Sequence, residues 1–122
     1  MTRGIRGATT VTHNDEKEIL KQAKDLIVEM IDMNNVQATD VSHVFISVTK
    51  DLNATFPAKA LREIDGWKYV PVMCMAEIDV PHGLKQCIRV MMVTNTNKSQ
   101  EEIKHIFKNE AVKLRPDLVK GD

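Results

Sequence analysis

The chain has 122 residues, a length that predicts a single domain over 1–122. Lysine plus arginine and aspartate plus glutamate each number 17, so the net charge is zero, which argues against a nucleic-acid binder held by bulk electrostatics. No apolar run approaches the roughly 20 residues that span a bilayer, and the first residues form no signal-peptide pattern, so we predict a cytoplasmic protein without a membrane partner.

The first quarter of the chain predicts a strand followed by an amphipathic helix. Residues 2–12 are rich in β-branched side chains and favour a strand. Two glycines inside it, Gly4 and Gly7, predict a bend or a close backbone approach. Apolar residues then recur at helical spacing and predict a helix that ends near Asn34, with Thr12 or Asn14 as its N-cap.

The rest of the chain predicts a mixture of short strands and helices. In chain order they are a strand 43–49, a helix 57–64, a strand 67–76, a strand 87–93, a helix 99–108 and a last short strand 111–114. Pro71 places its strand at an edge or a bulge, and Ser99 with Glu102 matches a capping box. The order βαβαββαβ predicts an α+β domain in which a mixed sheet packs against helices.

An arginine stands in the middle of the apolar strand 87–93. Alternation places Cys87, Arg89 and Met91 on one face and Ile88, Val90 and Met92 on the other. Because cysteine and methionine are poor neighbours for solvent, Arg89 is expected to line a partly buried surface and to need an anionic partner. Two interpretations remain open: a structural ion pair, for which Glu77 is a candidate, and a bound anionic ligand.

Other cations also favour the second interpretation, a bound anionic ligand. Arg6 lies between two glycines of the first strand, and Lys59 and Arg62 lie three residues apart on one predicted helix. Each has a plain alternative as a solvated surface cation, as does Arg115. Several cations with one carboxylate nevertheless suggest a cavity for a small dianion or polyanion.

Recognisable catalytic motifs do not accompany these charges. The four histidines occur singly without metal-ligand spacing, and no nucleophile elbow, P-loop or dinucleotide fingerprint is present. The two cysteines, Cys74 and Cys87, fit no disulfide scaffold and are predicted to be reduced thiols. Chemistry at such a site would depend on positioning and electrostatics.

Seven motifs in a fixed order carry a family resemblance. They are Arg3–Thr10, Phe56–Ala60 with Arg62, Gly66-Trp67, Val70–Val72, Glu77–Val80, Cys87–Val90 and Leu114–Leu118. In these motifs the chain resembles the small monofunctional chorismate mutases of the AroH class. The resemblance implies conversion of chorismate to prephenate, a Claisen rearrangement on the route to phenylalanine and tyrosine. It further implies no cofactor, no metal, and a homotrimer in which three sheets enclose a barrel-like core, with active sites in the clefts between subunits.

The resemblance also implies residue roles. Arg89 would contact the ether oxygen and a carboxylate of the substrate, Arg6 would bind a carboxylate and help hold the compact pseudo-diaxial conformer, and Glu77 would accept a hydrogen bond from the ring hydroxyl. The remaining implied substrate-binding residues are Phe56, Ala58, Lys59, Arg62, Val72, Met73, Cys74, Phe107, Leu114 and Arg115. Of these, Cys74 would lie near the ring hydroxyl, and Arg62 and Arg115 would supply positive potential at the cleft mouth. The C-terminal segment from about residue 115 is expected to be mobile and to close over ligand.

Two positions depart from the family pattern. Phe107, in the predicted last helix, stands where a tyrosine is usual, and the missing hydroxyl predicts weaker substrate binding. Met73 stands where a smaller polar residue is common. Two alternative functions stay open: a RidA-like imine deaminase, also trimeric with an arginine at a subunit cleft, and a trimeric small-anion binding module with weak or no catalysis.

Overall fold

The computed structural model describes residues 1–119, and what was predicted for the chain beyond residue 119 lies outside them. The strands are β1 (Thr2–Thr10), β2 (Val41–Val48), β3 (Val72–Ala76), β4 (Cys87–Asn95) and β5 (Ile106–Phe107). The α-helices are α1 (Glu16–Asn34), α2 (Ala58–Arg62) and α3 (Pro116–Val119). Short 3₁₀ turns cover Ala38–Asp40, Gln100–Glu102 and Asn109–Lys113. Within residues 1–119, no helix has both the length and the apolar content that crossing a membrane requires.

The strands form one mixed sheet in the order β3-β2-β4-β1-β5, which confirms the predicted α+β class. β4 is the central strand and runs antiparallel to both of its neighbours, β1 and β2. The outer pairs β2–β3 and β1–β5 are parallel. Side chains on β4 are therefore fixed by hydrogen-bonded ladders on both sides.

α1 is the helix that the sequence indicated, although its cap is different. Asp15 begins it by accepting a hydrogen bond from the backbone N–H of Glu18 at 3.0 Å, and Asn35 ends it in the left-handed region with φ of 52°. The prediction of Thr12 or Asn14 as N-cap was wrong. The reason is that Thr12 instead donates to the Glu18 carboxylate, while the Asn14 side chain binds the backbone of residues 53–54.

The two faces of the sheet differ in what covers them. One face packs against α1, and its buried residues include Val44, Ile46, Ile88, Val90 and Met92. The other face carries four large apolar side chains that are 37–61% exposed, namely Phe45, Met73, Met75 and Met91. We call it the open face. This division confirms the alternation predicted for residues 87–93, because Arg89 and Met91 are exposed while their neighbours are buried.

The C-terminal third corrects two predictions about residues 99–108. Ser99 and Glu102 do form a capping box, but the helix predicted over 99–108 is wrong, because only the turn Gln100–Glu102 follows it. The chain then extends so that β5 pairs with β1, where the N–H of Lys108 donates to the carbonyl of Ala8 at 2.9 Å. The pairing of residues 106–107 with β1 is thus favoured over the helix that the capping box at Ser99 indicated. Phe107 consequently lies in a strand and not in a last helix.

Two predicted strands also change. The strand predicted over 111–114 is wrong, since Asn109–Lys113 forms a 3₁₀ turn that buries Ala111 and lets the Glu110 N–H donate to the Thr10 hydroxyl at 3.2 Å. The strand predicted over 67–76 begins only at Val72, because residues 67–70 form turns. Pro71, which has no N–H to donate, then precedes the edge strand β3, as its position predicted.

The close approach predicted at Gly7 gives a stability test. A Cβ at Gly7 would collide with Sδ of Met30 and lie 3.2 Å from Cδ1 of Leu26, both fully buried. Gly7→Ala is therefore expected to lower the free energy of unfolding by about 1–3 kcal/mol. Gly4→Ala is the matched control, since its Cβ meets only the exposed Met91 side chain, at 3.1 Å. Urea denaturation at one protein concentration measures both; equal midpoints for the two variants would contradict the packing argument.

Candidate active site

Arg89 and Glu77 form an ion pair on the open face. Nη1 of Arg89 lies 3.4 Å from Oε2 of Glu77, and their side chains are 47% and 25% exposed. Arg89 is on the central strand, whereas Glu77 follows the edge strand β3 and donates its backbone N–H to the carbonyl of Val48 at 2.9 Å. The carboxylate therefore reaches Arg89 across β2, whose Ser47 lies directly opposite Arg89 in the ladder.

Ser47 fixes the orientation of the Glu77 carboxylate. Its hydroxyl donates to Oε2 at 2.9 Å, the same oxygen that contacts Arg89. The other oxygen, Oε1, has one long contact at 3.4 Å with the N–H of Ile78. One oxygen of Glu77 is thus engaged with the protein and the other is left with spare acceptor capacity.

The pair lines a cavity of about 520 Å³, which we call the first cavity. Its wall includes Leu114 and the loop after β3, and the complete lining is Thr49–Asp51, Glu77–Pro81, Gly83–Lys85, Cys87, Arg89 and Leu114. A salt bridge of 2.9 Å joins Lys50 to Asp79 across this wall, and hydrogen bonding to Asp79 raises the pKa of Lys50. The cavity carries acidic and basic groups together, which suits a ligand with both acceptor and donor oxygens.

A second cavity of about 540 Å³ contains three other predicted residues, Phe56, Lys59 and Cys74. Phe56 is 69% exposed just before α2, and Nζ of Lys59 on α2 lies 3.2 Å from a carboxylate oxygen of Glu16. Lys59 is therefore partly neutralised by α1 in this chain.

The two cavities meet at Thr49 and Lys50, which line both. Two of the predicted residues that line them nevertheless lie on opposite faces of the sheet. Cys74 is opposite the fully buried Ile46 and so belongs to the helix-covered face, whereas Arg89 is opposite Ser47 on the open face. In one chain Cys74 and the Arg89–Glu77 pair point away from each other.

Arg6 lies on the open face beside Arg89. It is directly opposite Met91 on β4, while Ala8 is opposite Arg89. Arg6 and Arg89 are therefore diagonal neighbours, at about 7–8 Å in an antiparallel pair. Arg6 lines a third cavity of about 520 Å³ together with His105. Two cations on one small patch create a positive potential suited to a dianion.

The remaining predicted residues take varied positions. Phe107 is opposite Ala8 and thus shares the row of Arg89, and Met73 is 61% exposed on the open face. Val72 and Ala58 are turned toward the core, the latter only 9% exposed. Arg62 is exposed on α2.

Arg115 follows the last 3₁₀ turn and binds Asp117. Its Nε and Nη2 donate to the two carboxylate oxygens at 3.0 and 2.8 Å. This fork lowers the pKa of Asp117 and raises the pKa of Arg115. In this chain the charge of Arg115 is therefore paired close to its own backbone.

Sequence reasoning missed two residues of the site. Ser47 was not among the predicted site residues, and its contact with Glu77 follows from the register in which β2 pairs with β3 and β4. His105 was treated as an isolated histidine, but its Nδ1 accepts a hydrogen bond from the backbone N–H of Arg6 at 2.9 Å. Each contact joins residues far apart in the chain, so no local sequence pattern marked either of them.

Comparisons with known proteins agree along the chain. A sequence-family model described as chorismate mutase type I matches residues 2–118. The chorismate mutase AroH of Bacillus subtilis (strain 168) is 52% identical over 118 residues, which is 97% of this chain and 93% of that protein. The chorismate mutase AroH of Thermus thermophilus is 40% identical over 119 residues, 97% of each chain.

A solved structure gives the same result for the fold. The chorismate mutase from Clostridium thermocellum superposes with a TM-score of 0.86 at 47% identity, covering 89% of this chain and 96% of that chain. These comparisons do not support the two alternatives, an imine deaminase and an inactive anion-binding module.

The two free thiols are expected to differ in reactivity. Burial raises the pKa of Cys87 to about 11, so at pH 8 almost none of it is the reactive thiolate. In a Cys74→Ser variant, iodoacetamide at pH 8 should label Cys87 slowly, and labelling should become fast once denaturant unfolds the protein. The Cys87→Ser variant, with only Cys74, is the comparison. Rapid labelling of folded Cys74→Ser would contradict the burial of Cys87.

Proposed function

The chain belongs to the type I chorismate mutase family, and we propose that it rearranges chorismate to prephenate with Arg89, Glu77 and Arg6 at the reacting centre. The observation that carries this proposal is the Arg89–Glu77 pair, which is held on the open face at the wall of a cavity. The reaction serves phenylalanine and tyrosine synthesis, and we propose a cytoplasmic location for it.

Arg89 stabilises the transition state electrostatically. In the rearrangement a C–O bond breaks while a C–C bond forms in the same molecule, and negative charge develops on the ether oxygen. A guanidinium fixed toward that oxygen stabilises the transition state more than the ground state. Among residues 1–119, Arg89 makes its hydrogen bond through Nη1 alone, so its other donors are available for the ether oxygen and a carboxylate. The planar fork can hold both atoms, which a lysine cannot do.

Glu77 and Arg6 position the substrate around Arg89. The ring hydroxyl donates to Oε1 of Glu77, because Ser47 and Arg89 already engage Oε2. Arg6 binds a carboxylate and favours the compact conformer in which the reacting carbons meet. Since all bonds change within one molecule, no cofactor or metal enters the proposal.

The working enzyme is proposed to be a homotrimer with a site between each pair of subunits. The open face leaves Phe45, Met73, Met75 and Met91 exposed, which is unusual for a monomer and supports burial against copies of the chain. Cys74 and the Arg89–Glu77 pair lie on opposite faces of the sheet, so one small substrate that touches both needs two subunits. The first cavity of one subunit then faces the second cavity of its neighbour.

The other binding residues follow from that arrangement. One subunit contributes Arg89, Glu77, Arg6, Phe107 and Leu114, and its neighbour contributes the side chains around the second cavity. That second group consists of Phe56, Lys59 and Cys74, which line the second cavity, together with Ala58 and Arg62 of α2 and Val72 and Met73 of β3. Arg115 adds positive potential at the mouth, and Phe107 shields the site without the hydroxyl of the usual tyrosine.

The proposed reaction is tested by following the loss of chorismate absorbance with purified, metal-stripped protein. Prephenate should form without any added cofactor, because positioning and charge do the chemistry. Absence of turnover by protein of trimeric mass would contradict the proposal.

Arg89→Ala tests the assigned role of the guanidinium. Removing one charge-stabilising donor typically costs about 10²–10³ in rate, so loss of the whole cation should reduce kcat by at least about 10³. Arg89→citrulline keeps the shape and drops the charge, and it should also lose most of kcat. Size-exclusion chromatography with light scattering checks that both variants keep their mass. Near-wild-type kcat in the citrulline variant would show that hydrogen bonding, and not charge, carries the effect.

A further inference from the structure

Arg6 is held by a histidine side chain at a gap in the sheet. β5 has only two residues and pairs with Gly7 and Ala8 of β1, so its ladder ends before Arg6. The N–H of Arg6 donates instead to Nδ1 of His105, the residue just before β5, at 2.9 Å. The imidazole replaces the backbone carbonyl that a longer strand would have supplied, and it joins Arg6 to the start of β5.

This hydrogen bond exists only for the neutral ring. Nδ1 can accept a hydrogen bond from a backbone N–H only when it carries no proton itself, so the hydrogen of the neutral ring is on Nε2. Nε2 lies 3.5 Å from Nη1 of Arg6, and in this tautomer that contact joins two donors and is not attractive. In the imidazolium both nitrogens are donors, so the bond to the Arg6 backbone is lost and a second cation stands beside the guanidinium.

We propose that His105 is a positioning residue: through its unprotonated Nδ1 it holds Arg6, and with it the β5 strand that carries Phe107, in the geometry that binds substrate. The proposal rests on the proposed function, in which Arg6 binds a substrate carboxylate. His105 itself does not contact the reacting atoms. Its protonation is expected to weaken substrate binding while the electrostatic contribution of Arg89 persists.

The charges around His105 favour the neutral ring at pH 7. Burial lowers the pKa of His105, and the cations Arg6 and Arg115 lower it further. Arg3 of β1 and Glu101 of the preceding turn line the same cavity, β4 contributes only Met91 there, and Asp117 is engaged by Arg115. Because the pKa is depressed, the hydrogen bond is fully present at neutral pH and is lost as pH falls through the acidic range.

The effect separates KM from kcat. Arg89 lies on β4, and its guanidinium is held by Glu77, whose carboxylate is held by Ser47. Neither contact involves His105. Protonation of His105 therefore moves the carboxylate-binding arginine and leaves the ether-oxygen arginine in place. A lost hydrogen bond of this kind corresponds to about a two- to tenfold change in affinity, so KM should rise toward that factor as the pH is lowered from 7.5 to 4.5, with kcat changing less.

Three substitutions distinguish the effect of losing the hydrogen-bond acceptor from the effect of protonating the ring. His105→Asn places an amide oxygen near the position of Nδ1 and cannot titrate, so KM should stay near wild type at pH 7.5 and should not show the rise at acidic pH. His105→Gln places its amide nearer the position of Nε2, and His105→Ala removes the acceptor. Both should show a raised KM at every pH. Since all other titrating groups are shared, the difference between wild type and His105→Asn isolates this ring.

Steady-state kinetics with chorismate from pH 4.5 to 7.5 measures these effects. A wild-type KM that does not change with pH, or the same pH dependence in His105→Asn, would overturn the proposal. NMR supplies a readout without turnover: the ¹⁵N-edited amide signal of Arg6 should shift with the titration of His105 and should not shift with pH in His105→Asn. If the protein does not turn over chorismate but the Arg6 signal follows His105, the proposed function fails and the positioning contact stands. An Arg6 signal that ignores His105 overturns the contact itself.

Discussion

The ion pair between Arg89 and Glu77 is the interaction on which the rest of the site depends. Its contribution to stability is small, because exposed pairs with long contacts are worth about 0–1 kcal/mol. Its importance lies in placement. β4 has a ladder on each side, and Ser47 of one neighbouring strand fixes the carboxylate that fixes the guanidinium. A charge that must meet a developing oxyanion at a defined distance requires such a rigid support.

The two faces of the sheet divide the tasks of the protein. The helix-covered face is filled by aliphatic side chains and by the approach of Gly7 to α1, which gives the fold its stability. The open face carries both the arginines and the exposed apolar side chains. The surface proposed to join subunits is therefore the surface that carries the chemistry. A homotrimer would build each site from residues that lie on opposite faces of the sheet in a single chain.

Local patterns predicted the parts of the fold that depend on local periodicity. The alternation of β4, the apolar stripe of α1 and the close approach at Gly7 all follow from spacing along the chain, and the structure has each of them. The C-terminal third was predicted wrongly because a capping box at Ser99 is a short-range signal, while β5 forms by pairing with a strand about 100 residues earlier. The Ser47–Glu77 and Arg6–His105 contacts span 30 and 99 residues, so no local pattern marks them.

Mixing two inactive variants tests most directly whether each site is built from two chains that present opposite faces of the sheet. Arg89→Ala removes the guanidinium from the first cavity. Phe56→Asp places a negative charge in the second cavity, where it should repel the dianionic substrate. Because Phe56 is exposed, folding should tolerate this change. The two chains are unfolded, mixed in equal amounts and refolded, and mass spectrometry confirms mixed trimers. Random mixing leaves one intact site in each mixed trimer, so about a quarter of wild-type activity should return. Mixed trimers without recovered activity would contradict a shared site and would place all of its residues within one chain.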